Sequence, residues 1–139
     1  MGLESKHLHA TRRLDVNIHT GIENKREQCP WGWWEEYAND PGYRVKRIVI
    51  AEGQRFSLQY HAKRSEHWVI VMGDGLLTLC GDDRRVTVGD MIYIPKLARH
   101  RLKNVGHDDL IVIETQLGFC DEKDIVRIED DYGRVIGAS

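Results

Sequence analysis

The chain is poor in the features that would place it quickly. It has three cysteines in 139 residues, Cys29, Cys80 and Cys120. Their number is odd, they lie far apart, and no two form a Cys-x-x-Cys pair. That excludes a disulfide framework and a zinc knuckle and leaves free thiols as the expected state. No apolar stretch approaches the roughly 20 residues of a membrane span, and the N-terminus lacks a signal-peptide pattern. A cytoplasmic location with no membrane partner follows as the default. Neither sign of charge dominates: 20 basic residues stand against 22 acidic ones, and they interleave. The basic footprint of a nucleic-acid binder is missing. There is no internal repeat, linker or low-complexity tract, and no sustained helical period beyond one turn at residues 121 to 125.

What is present reads as β. At 139 residues with 41% hydrophobic content, the chain holds one domain and one core. Residues 1–28 are polar and carry His7, His9 and His19; they are expected to form an arm, with the domain at 29–139. From Trp31 onward, short apolar or alternating runs are split by turn signals. The expected strands cover 43–50, 55–61, 67–72, 76–80, 85–88, 91–94, 100–103 and 110–117. The separators, such as Asp40-Pro41-Gly42 and Gly73-Asp74-Gly75, supply residues that accept positive φ. Evenly spaced short strands indicate an all-β sandwich or barrel.

Four side chains carry the chemistry. Gln59, His61 and Glu66 fall within eight residues, and His100 follows later. Alternation along a strand projects Ser57, Gln59 and His61 from one face, and Glu66, Trp68, Ile70 and Met72 from another. His67 then points away from Glu66, and His100 shares a face with Leu102, opposite Arg99 and Arg101. Two imidazoles, a carboxylate and an amide oxygen suit Zn²⁺, Mn²⁺, Fe²⁺, Co²⁺ or Ni²⁺, with Zn²⁺ or Mn²⁺ favoured. Further on, Glu114 and Gln116 alternate with apolar residues, facing either solvent or a polar cavity.

The spacing is ordered. Gly53, Gln59, His61, Glu66 and Gly73 form one motif, and Gly89, Pro95, His100 and Asn104 a second. The pair resembles the two motifs of the cupin superfamily. Gln59 stands where many cupins have a first His, and Leu97 where the second motif usually has Gly. The resemblance implies a double-stranded β-helix, or jelly-roll barrel, with an N-terminal arm and a short C-terminal helical turn. More closely, the chain resembles the type II mannose-6-phosphate isomerases, whose C-terminal-type domain it would supply alone. Pro30-Trp31-Gly32, the 53–61 and 64–68 segments, 100–104, 113–118 and Asp130-Asp131-Tyr132-Gly133-Arg134 carry that likeness. Cys29 departs from it, since an Arg usually precedes Pro-Trp-Gly.

That resemblance implies interconversion of mannose 6-phosphate and fructose 6-phosphate through an enediol, by a homodimer using a divalent metal. Lys46 or Glu114 would be the base; a solvated strand lysine is the alternative for Lys46. Arg64 and Arg134 would hold the phosphate through their planar forks, with Gln116 also at the substrate, or the two arginines would be structural ion pairs. Trp31, Trp33 and Trp34 suit a core or a subunit interface better than a sugar platform. Two other functions stay open: a non-catalytic sugar-binding cupin and an Fe-dependent cupin dioxygenase. Within 139 residues there is no room for a nucleotidyltransferase domain as well.

Overall fold

In a computed structural model the chain is described over residues 23–136. His7, His9 and His19 lie outside the described residues. Eleven strands follow: β1 (Arg26–Cys29), β2 (Gly32–Asp40), β3 (Tyr43–Ile50), β4 (Leu58–Tyr60), β5 (Arg64–Met72), β6 (Asp74–Leu79), β7 (Asp82–Thr87), β8 (Met91–Ile94), β9 (His100–Asn104), β10 (Leu110–Gly118) and β11 (Val126–Glu129). The class is all-β, with no helix among the described residues. Residues 121 to 124 close a single turn, in which the Asp124 N–H donates to the Asp121 carbonyl at 3.0 Å. The boundary expected between residues 28 and 29 falls inside β1, which pairs with β2.

Two antiparallel sheets build the molecule. One has six strands in the order β1-β2-β3-β10-β5-β8, and the other five in the order β11-β4-β9-β6-β7. Alternation decides what each strand buries. On β5, Glu66, Trp68 and Ile70 go inward while His67 and Val69 face out. Ile50, Trp68, Ile70, Ile94, Leu110 and Val112 from one sheet meet Leu77, Val86 and Leu102 from the other, with Phe56 among them. Each such side chain contributes about 1.5–3 kcal/mol by leaving water. Trp31 and Trp34 join this core, and Trp33 stays half-buried under the Arg26 and Arg47 guanidiniums.

Three observations depart from the expected pattern. The register of β10 against β5 shifts between Ile111 and Val112, so Met72 is turned outward rather than in with Ile70. Arg101, on the face opposite His100 and Leu102, is buried as well: β11 covers it, and it donates to the Phe56 carbonyl at 3.0 Å and to Glu129 at 3.3 Å. Leu97 has φ of 68°. The turn before β9 thus needs the left-handed conformation, and here a leucine supplies it where a glycine would be unstrained. The same turn is tied to the site, because the Leu97 N–H donates to the His61 carbonyl at 2.8 Å.

Candidate metal centre

The two sheets meet over a polar cluster in an otherwise apolar interior. Gln59 comes from β4 and lies opposite His100 on β9. His61 follows β4 directly, and Glu66 rises from β5 in the facing sheet. His61, Glu66 and His100 are all buried, and one donor atom from each lies within 4.8 Å of the others. His61 Nε2 is 3.1 Å from Glu66 Oε1, and His100 Nε2 is 3.9 Å from Glu66 Oε2. The imidazole rings sit 5.2 Å apart between centroids.

Backbone contacts aim both rings. His61 Nδ1 donates to the Asp124 carbonyl at 2.6 Å, and His100 Nδ1 to the Ala98 carbonyl at 2.9 Å. Each Nε2 is then left with a lone pair directed at the cluster, the arrangement that metal-binding imidazoles use. His100 Nε2 is buried with no hydrogen-bond partner. A buried acceptor left unpaired costs roughly 1–3 kcal/mol, and an imidazole lone pair beside a carboxylate oxygen repels it. A divalent cation among them would remove both penalties. Gln59 completes the set: its amide is 3.4 Å from His61 Nε2, and its other end meets Ser57 Oγ at 2.6 Å. Turning that amide by 180° would offer an oxygen to the same point. The donor set therefore fits a divalent ion, with nitrogen and oxygen ligands and no thiolate.

Burial alone would raise the Glu66 carboxyl. Its contact with His61 and the nearby charges of His100, His61 and Arg64 outweigh that, and hold it well below the usual carboxylate range. Burial pushes the His100 imidazole down, against the pull of Glu66. Both shifts run toward the form in which each group ligates, a carboxylate and a neutral ring. Glu114 on β10 behaves oppositely. Burial first, and then the Glu66 charge, push it up to about 7. The Trp68 indole N–H sits between the two carboxylates, 2.9 Å from Glu66 and 3.1 Å from Glu114.

Beside the cluster opens a cavity of about 110 Å³. Gln59 and Glu66 lie in its wall with Lys46, Glu114, Glu122 and Arg64. Lys46 is buried, ion-paired to Glu122, with its ammonium 3.9 Å from the Trp34 ring centroid. Arg64 is not a free fork. Its Nε donates to Glu66 at 3.1 Å and Nη1 to the Asp121 carbonyl at 3.1 Å, while Nη2 lies 3.3 Å from His61 Nε2. Gln116 does not reach the cavity wall; it stands behind Glu114 and donates to it at 2.5 Å. Arg134 does reach the wall, with its Nε and Nη2 on the Asp130 carboxylate at 2.9 and 3.0 Å. Cys29 lies in the wall too, and burial pushes its thiol up to about 11. Arg127 on β11 also lines the cavity, and its type and spacing alone do not mark it as a site residue.

Comparison with known proteins fits this architecture. The pattern of the family described as mannose-6-phosphate isomerase C-terminal matches residues 16–130. A relative from Salmonella typhimurium, named mannose-1-phosphate guanylyltransferase ManC, is 41% identical over 76% of this chain and 22% of its own. The capsular polysaccharide assembling protein CapF of Staphylococcus aureus superposes with a TM-score of 0.70 at 18% identity, covering 78% of this chain and 35% of that one. The cupin domain of Schizosaccharomyces pombe Cnp3 gives 0.59 at 12% identity, over 71% of this chain and 70% of that one. The two structures bear on the fold alone. The chain spans about a quarter of the length of the curated relatives it matches. Those relatives overturn the expected activity. They are named for guanylyl transfer to mannose 1-phosphate, not as stand-alone isomerases, so neither the mannose 6-phosphate–fructose 6-phosphate interconversion nor an isomerase-like enzyme stands. The fold is that of a cupin, and the chain belongs to the mannose-6-phosphate isomerase C-terminal family.

Proposed function

We propose that this chain is a metal-centred binding domain for a mannose phosphate, working alongside nucleotidyl transfer rather than interconverting sugars. The observation that carries it is the unpartnered His100 Nε2, buried against Glu66 and His61 and beside a cavity lined by polar and charged side chains. His61, Glu66 and His100 would hold the ion, and Gln59 would add an amide oxygen. A divalent ion there would supply Lewis acidity to a sugar oxygen. The chain's own residues do the rest. Arg64 holds the Glu66 carboxylate in place, Trp68 keeps Glu66 and Glu114 on one donor, and Trp34 with Lys46 forms an amphipathic wall for a sugar ring. Mannose 1-phosphate is the ligand supported by the names of the relatives.

The test is direct. The chain is loaded with Zn²⁺ or Mn²⁺, freed of excess ion and assayed for metal by elemental analysis and for mannose 1-phosphate by calorimetry. About one ion per chain is expected, with sugar-phosphate binding that chelation weakens. His61→Ala and Glu66→Ala should each lose the ion. A chain that retains no metal, or a loaded chain that ignores mannose 1-phosphate, ends the proposal.

A further inference from the structure

The wall of the cavity carries a guanidinium that no other described residue engages. Arg127 sits on β11, in register with Gln59 on β4, so it flanks the ligand cluster. Among the described residues no carboxylate comes within ion-pair distance of it, and its Nε is buried with no partner. The other arginines around the site differ: Arg44, Arg64 and Arg134 are each paired with a carboxylate. Arg127 and Arg134 both line the cavity beside the cluster, and both also line an adjoining space of about 240 Å³ toward Ile136. They stand close enough to disfavour each other: burial and then the Arg134 charge push the Arg127 guanidinium down. Two neighbouring cations with one carboxylate between them, Asp130, leave an excess of positive charge. An orphaned Nε inside a protein is a costly arrangement that an anion would relieve.

We infer that Arg127, supported by Arg134, forms an anion subsite that takes the phosphate group of the sugar phosphate whose oxygens face the metal cluster. This rests on the binding role proposed above. Arg127 supplies the fork, because its donors are uncommitted among the described residues. Arg134 is fixed by Asp130 and by the ring of Tyr132, 5.6 Å away, and contributes field rather than a complete fork. The charge count agrees. The cavity wall has four basic side chains, Lys46, Arg64, Arg127 and Arg134, against the carboxylates of Glu27, Glu66, Glu114 and Glu122. A divalent ion added to that balance leaves room for a doubly charged phosphate ester.

Calorimetric titration of the Zn²⁺-loaded chain with mannose 1-phosphate, inorganic phosphate and mannose separates the parts. Arg127→Met keeps the apolar stem and removes the fork. It is expected to weaken both phosphates by about 10- to 100-fold, leaving metal content and the thermal transition unchanged. Arg84→Met removes the same charge from exposed β7, at the far end of the sheet from β11, and should change nothing. Should Arg127→Met not fold, Arg127→Lys replaces it, with a several-fold loss expected because a point charge cannot bind bidentately. Equal phosphate affinity in parent and Arg127 variant overturns the inference, as does a parent that binds metal but neither phosphate. A parent that binds phosphate through Arg127 but retains no metal leaves this subsite standing and removes the metal-centred role instead.

Discussion

Leu97 and Glu114 are residues whose cost is visible in the structure. Leu97 adopts the left-handed region while its side chain stays exposed, so strain is not offset by packing. Replacing it with glycine should stabilise the protein by about 0.5–1 kcal/mol, since relief of about 1–2 kcal/mol is partly cancelled by unfolded-state freedom. Urea titration of Leu97→Gly checks this. Glu114 is costly in another way. Its carboxyl is raised to about 7 by burial and by Glu66, so the folded chain holds this proton more tightly than the unfolded one. The stability it contributes is therefore complete below pH 4.5 and lost as pH rises through about 7. Glu114→Gln, compared with the parent after chelation, should be the more stable of the two at pH 8, by on the order of a few kcal/mol, and should gain nothing at pH 4. At this scale the sequence was informative. The four proposed ligands stand out by type and spacing, and the structure gathers them. Arg127 could not be found that way, because its place beside Gln59 comes from a pairing between strands nearly 70 residues apart.

Elements were legible where turn residues bracket an apolar run. β3 and β8 follow the sequence bounds because Pro41-Gly42 precedes β3 and Glu52-Gly53 follows it, while Gly89-Asp90 precedes β8 and Pro95 ends it. β2 was missed because Glu35 and Glu36 interrupt its apolar pattern. In the sheet, Glu35 is buried and bound by Tyr37 two residues on and by Arg26 and Arg47 from the strands on either side, contacts that strand pairing creates. β11, at the sheet edge, is held by neighbours rather than by its own sequence: Asp124 just before it accepts the Ala62 and Lys63 N–H groups at 3.0 and 2.9 Å, while its carbonyl receives His61 Nδ1. Burial opposes ionisation of Asp124, but those two N–H groups win and lower its carboxyl. The stability it contributes is present at neutral pH and is lost as the solution is acidified through its folded value. Asp124→Ala should cost about 1–2 kcal/mol and loosen metal retention, because the turn that orients the His61 ring goes with it. Metal analysis after dialysis, alongside thermal melting, reads both effects.

At the scale of the molecule, the proposed ligands come from both sheets, so an ion would fasten one to the other. Chelation should lower the melting temperature by several degrees, as expected when a ligand worth about 2.7 kcal/mol at a hundredfold excess over Kd is removed. The outer face of the six-stranded sheet carries Val69, Val71, Met91 and Tyr93, all exposed on adjacent strands. The homodimer expected from the resemblance has an apolar surface here. Light scattering should then give about twice the 16.1 kDa chain mass, and Val71→Asp should halve it; a monomeric parent removes that expectation. Activity was the least legible property. Ligand type and fold are shared by proteins of different chemistry, and the relatives moved the assignment away from isomerisation. Trp68 has a consequence of its own. Its indole, 1% exposed, bonds Glu66 and lies 5.7 Å from the His100 ring. The fluorophore is thus wired to the site from birth, and its emission should dim when a paramagnetic ion such as Mn²⁺ enters and stay bright with Zn²⁺, an optical signature of occupancy that needs no label.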